Sequence, residues 1–344
     1  MGLLKYIIRR LLMLVLTLIG VSLIIFAVTQ TLPINRRAML FVEDVRESGR
    51  IDDIIERYGL NKPVYIQYAI WIRELLRGNL GWSQTTVEPV LTAILRRLPA
   101  TLELVLYSAP IILFLGIFLG VQSAKKLGKP IDHASRTIAM VGWALPSFWF
   151  GILLLAVFYG GLGWFPPGRF GNEVKIFINA PNTPWRWYTG LLTIDALLNG
   201  QTWILADALR HLVLPIIVLT ISNIAIIMKV VRSSMSKILK RKYIAVTNVK
   251  GSTKDDFLAI KRVLSNVLVQ VASVSGLLFV SILTSIIIAE TIFNFPGVGY
   301  LVAQAAIRLD IAPIIGLLIL SSCVLVIINL IVDIVYAWAD TRIR

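Results

Sequence analysis

Six long apolar runs leave few folds open to this chain. They lie at about 8–32, 98–123, 134–160, 211–230, 266–292 and 312–339. Runs of 18 or more residues with few charges have the length of a membrane span. In lipid, every backbone N–H and C=O must be bonded inside the chain, so such runs fold as helices. The sequence therefore reads as an all-α membrane protein with about six transmembrane helices. A soluble domain of 344 residues would not need 57% hydrophobic residues, or a mean hydropathy of +0.80.

A formal charge of +15 raises nucleic acid as a partner. Its distribution argues against that class, because the basic residues bracket apolar spans rather than interleave with stacking aromatics. The N-terminus and the segments near 124–137, 229–262 and 340–344 carry 19 Lys/Arg and four acids, Asp132, Asp255, Asp256 and Asp340. The segments near 33–97, 161–210 and 293–311 carry 15 Lys/Arg against 12 acids. This asymmetry is the positive-inside pattern. It predicts a multi-pass protein of the cell (inner or plasma) membrane with both termini in the cytoplasm. Lys5, Arg9 and Arg10 precede an apolar run that continues to Thr31 without a small-residue cleavage site, which reads as an uncleaved first span. The one cysteine, Cys323, lies in the last run, so no intrachain disulfide forms.

The chain divides into 1–97, the first span plus an extracytoplasmic region; 98–339, a transmembrane core with a cytoplasmic loop at about 229–266; and a tail, 340–344. Pro33 ends the first span. Beyond it Ile51, Ile54, Ile55 and Tyr58, then Ile66, Ile70, Trp71 and Leu75, recur at helical spacing. They predict short amphipathic helices forming a cap on the spans. The second span is read as starting at Pro99, a normal first-turn position for proline. Lys125 to Pro130 makes a tight return. Pro146 lies inside the third span, where it predicts a kink. The fourth span is read as starting near His211. Trp164, Trp185, Trp187, Tyr188 and Trp203 in the loop 161–210 read as an interfacial belt.

No G-x-x-x-x-G-K-[ST] is present, so nucleotide phosphates have no P-loop here. No H-E-x-x-H and no Cys/His cluster occurs, and His133 and His211 stand far apart in sequence at span ends. The expectation is a chain with no catalytic residue, metal or cofactor of its own. Ionisable residues inside spans are functional candidates by default. Here they are Glu103, Glu290 and Asp333, all within about two turns of a span end, where local hydrogen bonding accounts for them. No carboxylate sits at mid-span, which weighs against the alternative reading, an ion-gradient-driven secondary transporter.

Several segments in order carry a resemblance. They are Tyr6 to Leu12 with Gly20-Val21-Ser22, Leu98-Pro99-Ala100-Thr101-Leu102-Glu103-Leu104, and Leu145-Pro146-Ser147-Phe148-Trp149. After them come Ala208 to Pro215, Glu290 to Gly299, and Asn329 to Asp333 with the ending Asp340 to Arg344. Over nearly its whole length the chain resembles the B-type permease subunit of oligopeptide and dipeptide ABC importers, which depend on a binding protein. The resemblance implies a type I importer permease fold that forms half of a translocation pore. It implies a C-type permease as partner, two ABC ATPase subunits that hold ATP and Mg, an extracytoplasmic solute-binding protein, and surrounding membrane lipid. It also implies a segment that contacts the ATPase, carried here by Tyr243, Ala245, Thr247, Lys250 and Gly251. Pro146, Glu290 and Asn294 are candidates for the pore or its gate. The chain departs from the pattern at Asn248, at Val249, in one inserted residue after Gly251, at Gln270 in place of proline, and at Pro33-Ile34-Asn35-Arg36. The family's default substrate is a peptide; relatives carry nickel or oligosaccharides, and the aromatic loop tilts slightly toward oligosaccharides.

Overall fold

Hydrogen-bonding necessity in lipid makes the apolar runs helical, and the structure, a computed structural model, describes residues 3–42, 51–239, 270–272 and 274–339. Helix α1 is Leu3–Gln30, α2 Ile34–Ala38, α3 Ile51–Arg57 and α4 Val64–Leu76. A two-residue hairpin follows, with β1 (Trp82–Ser83) antiparallel to β2 (Glu88–Pro89) and Trp82 opposite Pro89. Helix α5 is Val90–Lys125, α6 Pro130–Ala144 and α7 Ser147–Leu154, which runs into a π-helical turn at Leu155–Gly161. Then come α8 Asn172–Asn179, α9 Leu192–Leu198, α10 Thr202–Leu239, α11 Ser275–Ile292, α12 Val298–Ile307 and α13 Ile311–Ala339.

Among the described residues, four helices are long and apolar enough to cross a membrane: α1, α5, α10 and α13. The pair α6–α7 makes a fifth if counted as one broken span. Helix α11, at 18 residues or about 27 Å, accounts for most of the described part of the fifth run, 266–292.

The helix limits correct three expectations. Helix α5 starts nine residues before Pro99, at Val90, whose N–H donates to the Gly81 carbonyl at 2.9 Å. The charges that made this stretch look like loop are paired with one carboxylate, Glu88, which accepts from Arg96 at 2.8 Å and Arg97 at 3.3 Å. Pro99 therefore sits inside the helix. Helix α10 likewise starts at Thr202 rather than near His211, with Pro215 in its interior. The kink foreseen at Pro146 is a full break: α6 and α7 meet at 99°.

The packing has three apolar centres. The first joins α5, α10, α11 and α7, with Leu104, Ile112, Leu219, Ile227, Ile286 and Phe293 fully buried. Helices α5 and α10 approach closely because α5 carries two glycines four residues apart, Gly116 and Gly120. A Cβ at Gly116 would lie 2.7 Å from Ile227 Cβ, and one at Gly120 2.7 Å from Val231 Cβ. Small residues at this spacing are how membrane helices gain van der Waals contact without a hydrophobic driving force.

The second centre is the cap foreseen around residues 51–76. Phe26 of α1 packs edge-on to Tyr68 at 5.2 Å and against Trp71 at 5.6 Å, and Arg37 bridges Gln30 and Gln67. Asp310, just before α13, accepts from Ser83 Oγ at 2.9 Å and the Thr85 N–H at 2.8 Å, which pins the hairpin to that helix. The third centre is small: Val174, Trp185, Leu192, Ala196, Ile204 and Ala208 within 161–210 and the start of α10. Trp185 is thus a core residue, whereas Trp164, Trp187, Tyr188 and Trp203 stay exposed as a belt requires.

Candidate functional site

Three of the residues singled out by sequence, Glu103, Glu290 and Asn294, lie at the end of the molecule opposite Lys125–Lys129. Glu290 lies on the last turn of α11 and is fully buried. Helix α11 ends as Phe295 N–H bonds back to the Glu290 carbonyl at 2.8 Å and Asn294 turns to φ 51°, a left-handed value that asparagine tolerates. The chain then re-enters as α12, whose first N–H groups have no partner within the helix. Glu290 and Thr101 supply them. Tyr300 N–H donates to Glu290 Oε2 at 2.9 Å, Val298 N–H to Thr101 Oγ at 2.8 Å, and the Thr101 hydroxyl to Glu290 Oε1 at 2.6 Å. A carboxylate at a helix N-terminus also meets the favourable end of the helix dipole. The glycines of Gly297-Val298-Gly299 are sterically required: a Cβ at 297 would stand 2.1 Å from Glu290 Oε1, and one at 299 would stand 2.7 Å from Ile287 Cα. Asn294 itself is exposed at the tip of the turn.

Two residues along α5 from Thr101, Glu103 is buried too. Arg169 grips its Oε2 through Nε at 3.0 Å and Nη2 at 2.8 Å, while Thr193 donates to Oε1 through both its N–H (2.7 Å) and its hydroxyl (2.8 Å). Arg169 also donates to the Gly190 carbonyl at 2.7 Å and lies over the Trp187 ring at 5.9 Å. Its neighbour Gly168 donates its N–H to the Phe293 carbonyl at 2.6 Å. The contacts close into a ring: Glu290, Thr101, Glu103, Arg169, Gly168, Phe293 and back to Glu290. This ring fastens α5, the loop 163–193 and the α11–α12 turn into one rigid end. Both intramembrane glutamates are accounted for by local bonding; the side chain of Asp333 lies outside the described residues.

Pro146 stands apart from this ring, at the α6–α7 break. Leu145 is held extended, as a residue before proline prefers, so α6 cannot continue. On one side of the break Gly142 packs on Ile221 of α10; on the other Gly151 packs near Ile292 and Phe293 of α11. The two arms leave Met140, Val141, Trp143, Phe148, Trp149, Ile152 and Leu153 exposed. The ATPase-contact residues expected from sequence, Tyr243, Ala245, Thr247, Lys250 and Gly251, lie outside the described residues.

Two polar groupings escaped the sequence reading. Asn223, fully buried in mid-α10, donates to the Leu219 carbonyl at 2.8 Å and to Ser285 Oγ of α11 at 3.3 Å. A lone amide in an apolar run was its only signal. The second lies at the basic end. Asp132, which sequence counted as a loop charge, is buried and bound by Arg232 of α10. Arg232 Nε reaches Oδ1 at 2.8 Å and Nη2 reaches Oδ2 at 3.0 Å. The Ser123 hydroxyl also donates to Asp132, and the Gly128 N–H does so at 3.0 Å. The signal available was an acid two residues after Pro130 and an arginine directly after the apolar pair Val230-Val231 of α10.

A cleft of about 270 Å³ opens between α8 and α10, lined by Glu173, Val174, Trp203, Ala206, Asp207 and Arg210. Asp207 is engaged with the Gly171 N–H at 2.8 Å, and the buried His211 bonds the Asp207 carbonyl at 2.8 Å. Among the described residues no group of three or more His, Cys, Asp or Glu could hold a metal ion.

Comparison with known proteins bears directly on this arrangement. Residues 112–344 match the family described as the binding-protein-dependent transport system inner membrane component, and residues 3–105 match the N-terminal part of such components. The chain is 34% identical over 344 residues to the dipeptide transport system permease protein DppB of Alkalihalophilus pseudofirmus, covering 99% of each chain. It is 34% identical over 341 residues to the di/tripeptide transport system permease protein DppB of Pseudomonas aeruginosa, again over 99% of each. To the oligopeptide transport system permease protein AppB of Bacillus subtilis it is 33% identical over 340 residues, 98% of this chain and 99% of that one.

Proposed function

This chain belongs to the family of binding-protein-dependent transport system inner membrane components, and on that footing we propose that it is the permease subunit of an ATP-driven importer of di- and oligopeptides. The observation that carries the reading is likeness from end to end, at 32–34% identity, to permeases named for dipeptides, di/tripeptides and oligopeptides. With no P-loop in this chain, ATP and Mg belong to two partner ATPase subunits. A C-type permease completes the pore, and a solute-binding protein delivers the peptide from outside. Lipid covers α1 and the outward faces of α5 and α13.

In this reading both termini and the segment around Gly251 face the cytoplasm, on the side rich in Lys and Arg. The ring around Glu290 and Glu103 lies at the outer end, as the rigid frame of the outer gate. Glu290 and Asn294 shape the turn that the gate closes on, and Pro146 lets α7 change its angle to α6. Transport then needs no covalent chemistry in this chain. It needs contacts that differ between two states, so that nucleotide binding on the ATPases shifts their balance.

The test is Gly251→Asp in the reconstituted complex, with peptide uptake and ATP hydrolysis measured together. Uptake is expected to be lost while hydrolysis persists. Uptake at the unsubstituted rate would remove the assigned ATPase contact.

A further inference from the structure

We propose that Arg232, Asp132 and Ser123 are positioning residues that make α5 and α6 travel with α10 as one block when the ATPases act on the cytoplasmic side. The inference rests on the reading above, in which the segment around Gly251 meets the ATPase.

Helix α10 runs from Thr202 to Leu239, twelve residues before Gly251 in sequence. Helix α6 lies antiparallel on it and is held at two points. One is the Asp132–Arg232 pair; the other is the contact of Gly142 with Ile221, where a Cβ would come within 2.7 Å. The spacing between the points is ten residues on α6 and eleven on α10, about 15 and 16 Å at ~1.5 Å per residue. The two lengths agree, so both contacts hold without bending either helix. Ser123 and Gly128 bring in the α5–α6 turn, and Gly116 and Gly120 hold α5 against α10. The basic-end halves of α5, α6 and α10 thus form one block.

Beyond Pro146 the chain gains α11 as a partner. A Cβ at Gly151 of α7 would lie 3.3 Å from Ile292 Cδ1 of α11, next to the ring around Glu290. The arm beyond the break is tied to α10 as well, where Arg210 donates to the Gly163 carbonyl at 2.8 Å, so what the clamp adds is the hold on the basic-end arm, α6, and on its neighbour α5.

The chemistry of the pair suits transmission of movement. Two parallel N–H···O bonds from a planar guanidinium fix orientation as well as distance. Arg232 Nε is shared with Ser123 Oγ at 2.9 Å, which ties three helices through one group. A lysine would keep the charge but would let the helices rotate about a single point.

The experiment uses the whole complex in proteoliposomes and reads ATP hydrolysed per peptide imported. Arg232→Lys is expected to raise that ratio about tenfold, within the usual range of coupling between sites, and Ser123→Ala about threefold. A pair that serves folding alone would lower the yield of assembled complex and leave the ratio untouched, and that result overturns the proposal. If Arg232→Lys does not assemble, the milder Ser123→Ala decides by the same ratio. Gly251→Asp is run alongside. If it uncouples and the Arg232 and Ser123 variants do not, the clamp falls and the ATPase contact stands. If Gly251→Asp leaves the ratio unchanged, the ATPase contact falls, and the clamp falls with it.

Discussion

Removing the Glu290 carboxylate should release the start of α12. In Glu290→Ala, two buried donors lose their acceptor: the Thr101 hydroxyl, at 2.6 Å, and the Tyr300 N–H, at 2.9 Å. A buried donor left without a partner costs about 1–3 kcal/mol, and loss of the negative charge at a helix N-terminus adds about 0.3–1 kcal/mol. The total is about 2–7 kcal/mol, concentrated on the first turn of α12. At about 1.4 kcal/mol per factor of ten, that is about two to five decades of local opening. The assay is hydrogen exchange on the assembled complex in nanodiscs, followed at the amides of Val298 to Leu301. Exchange there should speed by at least a hundredfold, while mid-α10 amides keep their rate. Glu290→Gln should give a smaller effect, because its carbonyl satisfies one donor and its NH₂ opposes the other. Unchanged protection at Tyr300 in Glu290→Ala would refute the reasoning, since the carboxylate would then not be what holds the turn.

Further expectations follow from the same geometry. Arg169→Met leaves the buried Glu103 charge unpaired and should destabilise by about 3–5 kcal/mol, read as a lowered melting temperature of the purified complex; adding Glu103→Gln should recover part of the loss. Gly120→Ala forces a Cβ to within 2.7 Å of Val231 Cβ and 3.0 Å of the Met228 carbonyl, and should cost about 1–3 kcal/mol by the same measurement. Gly20→Ala, with open space around it, should be neutral or slightly stabilising. With Cys323 replaced by serine, a cysteine at Lys126 should react with an impermeant thiol reagent only from the cytoplasmic side, and one at Trp187 only from the outside; the reverse pattern would overturn the proposed orientation.

Much of the fold was legible because lipid allows so few solutions. The runs that became α1, α5, α10 and α13 announced themselves by length alone. The cap helices Ile51–Arg57 and Val64–Leu76 showed in their apolar spacing. Helix ends were harder. Arg96 and Arg97 read as loop because their partner, Glu88, acts through a hairpin that hydropathy does not reveal. Pro99 read as a helix start because local rules do not tell a first-turn proline from one carried inside a long helix.

The site was legible only in part. Glu103 and Glu290 stood out as charges within spans, but their partners could not. Thr101 and Glu290 are 189 residues apart in sequence, and Arg169 is 66 from Glu103. Such pairings exist only after the helices pack. Asp132 and Arg232 were hidden for a different reason: at the ends of spans they look like ordinary solvated charges, and only the burial of Asp132 and its pairing with Arg232 give them away.

The central claim is that this chain is half of a peptide path driven by ATP on separate subunits. Its most direct test is uptake of a labelled dipeptide into proteoliposomes holding the complete complex, with the binding protein outside and ATP inside. The account predicts accumulation that requires ATP, the binding protein and both permeases, and that is indifferent to an imposed proton or sodium gradient. Uptake by this chain alone, driven by an ion gradient with no nucleotide, would contradict it.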